Sequence, residues 1–176
     1  MPITTKKGDQ GQTEILFNQR LDKDDLRVEI IGGIDELSAY LGLAKASITQ
    51  EKTRAILQTI QKHILLIGTE IAATPEKIKQ LQNRLNASQL KQLENILTEL
   101  EQDYDYKQPG FCLSGNNQTS ATTDIARTNA RRLERRLVTF KKKNLLQNQH
   151  ILPYINRLSD MLFVLARNYD KKPTAG

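Results

Sequence analysis

Apolar residues recur along most of this chain at intervals of three and four, the period of a helix with one face turned inward. Between 28 and 48 they fall at Ile30, Ile31, Ile34, Leu37, Leu41, Leu43 and Ala44, and from about 52 to 73 at Ile56, Leu57, Ile60, Ile64, Ile67 and Ile71. Thr74-Pro75 closes this second helix, because a proline disfavours helical geometry in the residue before it. Residues 76–85 read as a short turn or a loop. A third helix starts near Ser88, capped by Asn86 or Ser88, and carries Leu90, Leu93, Ile96, Leu97 and Leu100. A fourth begins between Asn117 and Thr122 and extends to about Lys142, weak in propensity at Thr119, Ser120, Thr122 and Thr123 and strong beyond them. A fifth covers roughly 149–169, with Ile151, Tyr154, Ile155, Leu158, Leu162 and Leu165 in register. Pro153 falls in its first turn, where a missing N–H costs little. No sustained two-residue alternation and no internal repeat is evident. The expectation is an all-α, five-helix bundle spanning 28–170 as one domain, preceded by an irregular N-terminal arm at 1–27 and followed by a frayed tail at 171–176.

The bulk numbers narrow the partners. The net charge is +6 over 176 residues, which favours anionic ligands without naming one. No apolar run reaches the length of a membrane span, and no secretory signal opens the chain, so a cytoplasmic protein is expected. The single cysteine, Cys112, excludes an internal disulfide and a cysteine-based zinc cage. Tryptophan is absent and aromatics make up 5%, which weighs against stacking of single-stranded bases.

Charge is concentrated in one place. Five arginines, Arg127, Arg131, Arg132, Arg135 and Arg136, lie within ten residues of the fourth helix. At helical spacing Arg127, Arg131 and Arg135 form one stripe, with Arg132 and Arg136 beside it and Leu133 and Leu137 turned inward. Guanidiniums present planar forks of donors, so such a stripe suits several oxyanions at once, as in a triphosphate or a nucleic-acid backbone. A solvated basic face is the plainer reading.

The arm adds a second element. Thr5-Lys6-Lys7-Gly8-Asp9-Gln10-Gly11-Gln12-Thr13 has two glycines three apart among hydroxyls and lysines, as suits a loop whose N–H groups approach phosphate. It is not a Walker A loop, whose lysine and hydroxyl follow the second glycine. Neither His63 nor His150 has a glutamate three residues earlier, so di-iron bundle chemistry is rejected. His63 reads as a core or boundary histidine, His150 as solvated, and Cys112 as a small buried hydrophobe. Asp35 lies among apolar residues on the first helix. If buried it needs a cationic partner, which the arginine stripe can supply; otherwise it is an exposed carboxylate.

Four blocks, in order, resemble the PduO-type ATP:cob(I)alamin adenosyltransferases (corrinoid adenosyltransferases) over nearly the whole chain. They are Thr5-x-x-Gly8-Asp9-x-Gly11-x-Thr13; Arg20-x-x-Lys23-x-Asp25-x-Arg27-Val28-Glu29 running into Gly33-x-Asp35-Glu36-Leu37; Phe111-x-Leu113 with Ala126-Arg127-Thr128-x-x-Arg131-Arg132-x-Glu134-Arg135-Arg136; and the run from Tyr154-Ile155-Asn156-Arg157 to Arg167. The resemblance implies a trimer with active sites between subunits. It also implies transfer of the 5′-deoxyadenosyl group of ATP to cobalamin in its cob(I) state, with Mg²⁺, and release of triphosphate. It implies that Thr5, Lys6, Gly8, Asp9, Gly11 and Thr13 wrap ATP, that Arg20 and Lys23 approach the nucleotide, and that Arg127 and Arg131 are the catalytic pair. Arg127 would pair with Asp35 of the adjacent subunit. Glu134, Arg135 and Asn156 would serve the nucleotide, Glu134 as a Mg²⁺ ligand, and Phe111 would cover the lower face of the corrin. A reductase and an adenosylcobalamin-dependent enzyme are the implied protein partners; nucleic acid and membrane are not.

Three departures from the family pattern stand out. Lys7 replaces Thr or Ser, Phe17-Asn18 replaces a Gly-Gly pair, and Ser114-Gly115-Asn116 replaces a Pro-Gly-Gly turn. They motivate an alternative, a non-catalytic ATP- or corrinoid-binding relative acting in delivery or sensing. A basic helical nucleic-acid binder ranks last. Glu134 and Asp124 interrupt the stripe, and the glycine arm is left unexplained.

Overall fold

The computed structural model describes residues 4, 6–104 and 113–170. Thr5, Phe111, Cys112 and the tail from 171 lie outside the described residues. Five long helices form the body: α1 (Leu26–Ser47), α2 (Glu51–Ala72), α3 (Ala87–Glu101), α4 (Gln118–Lys142) and α5 (Ile151–Asp170). The segment 76–85 holds one 3-10 turn, Ile78–Gln80.

Side chains set several of the helix starts. Asp25 accepts from the backbone N–H of Arg27 at 2.7 Å and caps α1. Asn86 caps α3 in a reciprocal box with Gln89, which settles the choice between Asn86 and Ser88. Asn117 and Ser120 cap α4 in the same way.

α4 packs on α5 and on α1, α2 on α1, and α3 on α5. The seam is filled by Ile30, Leu37 and Leu41 of α1, Leu57, Ile60, Ile64 and Ile67 of α2, Leu133, Leu137 and Phe140 of α4, and Leu158 and Leu162 of α5. Full burial of such a side chain contributes about 1.5–3 kcal/mol, so this seam is the main source of stability. Gly68 lets α2 approach α1 closely: a Cβ there would stand 3.2 Å from Ile34 Cγ2.

Three polar devices close the seam's ends. His63 is buried and its Nδ1 lies 2.9 Å from the Tyr154 hydroxyl. Glu70, 3% exposed, accepts from the Leu85 N–H, Arg84 Nε and Asn148 Nδ2, tying the two loops that flank α3 and α5 to α2. Arg27, also buried, donates to the carbonyls of Ile71 and Ala73 at the end of α2 and lies 5.0 Å over the Phe140 ring.

The arm corrects the reading of 1–27 as irregular. β1 (Gln12–Ile15) and β2 (Gln19–Asp22) form an antiparallel hairpin, with Gln12 opposite Asp22 and Ile15 opposite Gln19. Each strand is four residues long and alternates only between half-buried and exposed positions, with Thr13 and Gln19 among the inward ones. Apolar alternation was therefore not there to be read.

Candidate active site

The five arginines of α4 divide into three sets. Arg132 donates to Glu36 and Arg136 pairs with Glu29 at 2.7 Å, so both are spent on α1. Glu29 and Glu36 are seven apart on α1, one face of that helix, and meet arginines four apart on α4. This register was present in the sequence, although no role had been assigned to either glutamate. The Arg132 hydrogen bond is the main reason the Glu36 carboxyl titrates below its ordinary range.

Arg127 turns to its own helix. Its Nε donates to Asp124 Oδ1 at 2.6 Å. Asp124 is 3% exposed and its other oxygen accepts from Arg167 Nη2 of α5. Asp35 does not meet Arg127 within one chain. It is exposed on α1, so nothing within its own chain buries it. It lines a cleft of about 500 Å³ with Glu14, Ile15, Leu16, Leu65 and Gly68, between the hairpin and α2.

Arg131 and Arg135 are exposed and carry no ion pair among the described residues. Arg135 donates from Nη1 to the Arg131 carbonyl at 3.1 Å. Beside them, Asn156 of α5 donates from Nδ2 to Glu134 Oε1 at 3.0 Å and accepts from Arg157 Nη1 at 2.9 Å. Burial lifts the Asp160 carboxyl above its usual range and the nearby Glu134 carboxylate adds to this, while Arg157 and Arg131 oppose it. Arg131, Glu134, Asn156 and Asp160 therefore form one electrostatic cluster on the α4–α5 face.

The arm is built around close contacts of Gly8 and Gly11. Asp9 N–H donates to the Lys6 carbonyl, Gly11 N–H to the Gly8 carbonyl, and Lys23 N–H to the Gly11 carbonyl at 2.8 Å. Gly11 has a φ of +82°, which side chains resist. A Cβ on Gly8 would lie 3.2 Å from Lys23 Nζ, so the lysine ammonium closes over this turn. Arg20 Nη2 donates to the Lys7 carbonyl at 3.0 Å. That bond uses the backbone of Lys7, and is indifferent to the side chain that departs from the family pattern. Thr13 lies on β1, opposite Leu21.

The Phe17-Asn18 departure leaves a trace of the glycines it replaces. Phe17 has a φ of +63° and Asn18 of +58°, the left-handed region that glycine enters freely. The turn between β1 and β2 thus follows a glycine path with two residues that carry a Cβ.

The chain matches the family model described as cobalamin adenosyltransferase across residues 3–169. It belongs to the cobalamin adenosyltransferase family. It is 37% identical to a corrinoid adenosyltransferase of Citrobacter freundii over 97% of this chain and 96% of that one. It is 36% identical to a corrinoid adenosyltransferase of Bacillus subtilis, over 95% and 86%. The corrinoid adenosyltransferase PduO of Salmonella typhimurium is 34% identical over 97% of this chain, which spans 50% of that relative's length. Among solved structures, a variant of the PduO-type ATP:corrinoid adenosyltransferase from Lactobacillus reuteri, complexed with cobalamin and ATP, superposes with a TM-score of 0.88 at 31% identity. The match covers 96% of this chain and 93% of that one. The five-helix body with its small hairpin is thus the architecture of the family. No helix among the described residues is long and apolar enough to cross a membrane.

Proposed function

We propose that this member of the family transfers the 5′-deoxyadenosyl group of ATP to cob(I)alamin, forming adenosylcobalamin and releasing triphosphate. The observation that carries the proposal is the division of labour in the arginine run. Arg132 and Arg136 are tied to α1, whereas Arg131 and Arg135 carry no ion pair among the described residues and lie beside the Glu134–Asn156 pair. Exposed guanidiniums without a carboxylate partner, next to a carboxylate oriented by an amide, suit a polyphosphate that arrives with its metal.

The chemistry asks little covalent work of the protein. The cobalt(I) of the substrate supplies an electron pair to C5′ of ATP. The Co–C bond forms, the C5′–O bond breaks, and triphosphate leaves with that bond's electrons. The protein must align the two substrates and stabilise charge on the leaving group. In this reading Arg131 and Arg135 bind the triphosphate, and Arg127 acts with Arg131 as the catalytic pair. Lys6, Gly8, Asp9, Gly11, Thr13, Arg20 and Lys23 close the arm over the nucleotide, as Thr5 is also expected to do.

Mg²⁺ fits the donor set as a phosphate-borne ion. No group of three metal-ligating side chains exists among the described residues, and Mg²⁺ commonly takes one or two carboxylates while phosphates fill the rest. Glu134 Oε1 is engaged by Asn156, and Glu134 would be the carboxylate that holds the metal. When bound, the ion would neutralise charge on the triphosphate.

A trimer completes the site in this proposal. Asp35 is exposed beside the apolar cleft of Ile15, Leu16 and Leu65, and Leu65 is 63% exposed. A second copy seated there would bring Asp35 to the unoccupied edge of a neighbour's Arg127. Phe111 would cover the lower corrin face and disfavour its axial ligand, easing reduction to cobalt(I). A reductase and an adenosylcobalamin-dependent enzyme are its partners in this reading, and the cytoplasm its compartment.

The test is incubation without oxygen of the protein with ATP, Mg²⁺ and chemically reduced cob(I)alamin. Appearance of the light-sensitive adenosylcobalamin spectrum with one triphosphate per turn is expected. ATP binding without product would indicate the non-catalytic relative instead.

A further inference from the structure

We propose that Asp124 is a positioning residue for Arg127, and that Arg167 holds Asp124 in place from the neighbouring helix. This rests on the adenosyltransferase reading above and goes beyond it, since neither Asp124 nor Arg167 has a role in that account.

The geometry is a buried chain of alternating charge. Asp170 Oδ2 lies 3.1 Å from Arg167 Nε, Arg167 Nη2 donates to Asp124 Oδ2, and Asp124 Oδ1 accepts from Arg127 Nε at 2.6 Å. Asp124 and Arg167 are 3% and 5% exposed, while the Arg127 side chain is 23% exposed. The chain therefore runs from the partly exposed end of α5, through two buried charges, to Arg127. Two carboxylates meet two guanidiniums, so each charge has an opposite neighbour, although Arg167 Nε and Asp170 Oδ1 make no hydrogen bond among the described residues.

The choice of nitrogen on Arg127 matters. Nε is the inner donor of the fork. Tying it to Asp124 restrains the plane of the guanidinium and leaves both terminal nitrogens to other partners. Those nitrogens have no partner among the described residues. A flexible side chain is thereby held in one pose before any ligand arrives. An aspartate that merely capped or neutralised the helix would not need a buried arginine on its second oxygen.

Arg167 is itself braced. Its guanidinium lies 5.6 Å from the centre of the Phe163 ring, and Tyr104 meets that ring edge-on at 6.0 Å. The pose of Arg127 is thus tied to α5 through Asp124.

The experiment is a mutant cycle on the full chain, assayed with ATP, Mg²⁺ and chemically reduced cob(I)alamin, with thermal melts in parallel. Asp124→Asn keeps the shape but removes the charge and presents an amide N–H₂ to one of the two arginines. It is expected to lower kcat/KM by on the order of 10–100-fold, because small misplacements of a catalytic group cost that much. Arg127→Lys removes the inner Nε donor. The double variant is expected to be no worse than Arg127→Lys alone, since Asp124 then has nothing to orient. Wild-type rates for Asp124→Asn, or losses that multiply in the double variant, would overturn the proposal while leaving the enzyme reading intact. An inactive wild-type protein would overturn the enzyme reading itself. If Asp124→Asn does not fold, Arg167→Lys, which keeps the charge and loses the fork, enters the same cycle and is judged by the same criterion.

Discussion

Asn156 Nδ2 stands 3.0 Å from Glu134 Oε1, an amide of α5 orienting a carboxylate of α4 at the edge of the free arginines. The pair joins the two helices that pack most extensively on each other, so its geometry is inherited from the core. Asn156→Ala is expected to leave the fold intact. It should lower turnover about 10–100-fold, the range found when a partner that orients a metal ligand is removed. A Mg²⁺ titration of activity checks this: the midpoint should move to higher Mg²⁺, and an unchanged midpoint would separate Glu134 from the metal.

The arginines should respond unequally to truncation. Arg131→Ala and Arg127→Ala are each expected to abolish turnover with the helical fold retained, measured by circular dichroism and the cobalamin spectrum. Arg136→Ala breaks only a half-exposed pair with Glu29, so its effect on stability should be within about 1 kcal/mol. A larger loss from Arg136→Ala would mean that the α1–α4 pairs contribute more than surface ion pairs usually do.

The hairpin turn carries measurable strain. A left-handed conformation costs an ordinary L-residue roughly 1–2 kcal/mol, and asparagine tolerates it better than phenylalanine. Phe17→Gly relieves that cost while adding about 0.5–1 kcal/mol of chain entropy, so a net gain of up to about 1 kcal/mol in unfolding free energy is expected. Phe17→Ala, which keeps the Cβ, should give no such gain. Urea denaturation distinguishes the two.

Much of the bundle was legible because its signal is local. The positions of Ile60, Ile64, Ile67 and Ile71 fix a helix face within one segment, and Asn86 announces a helix start within four residues. The hairpin was not legible, because its inward positions include Thr13 and Gln19 rather than a run of alternating apolar residues. Nor was the Asp124–Arg167 pair: its partners are 43 residues apart and meet only because α4 and α5 pack along their length. Asp124 had been noticed as an interruption of a basic stripe, whereas its burial makes it the stripe's internal anchor. The sequence itself located the arginine run, but only the packed helices show which arginines are already engaged.

Acid should weaken the fold through His63. Burial holds its pKa below the ordinary value of about 6.5. In the window beneath that ordinary value the unfolded chain binds a proton that the folded chain refuses, so stability rises with pH there. The contribution is present above about pH 6.5 and lost as pH falls below it. Unfolding free energies between pH 7 and pH 5 should therefore decline, and His63→Gln should flatten part of that decline. An equal slope in the variant would assign the effect to other groups.

The central claim is that this chain makes the cobalt–carbon bond. The most direct measurement is the visible spectrum of cob(I)alamin mixed without oxygen with ATP, Mg²⁺ and the protein, before and after exposure to light. A light-sensitive adenosylcobalamin spectrum that appears with stoichiometric triphosphate is the predicted result. Unchanged cob(I)alamin in the presence of bound ATP would contradict it.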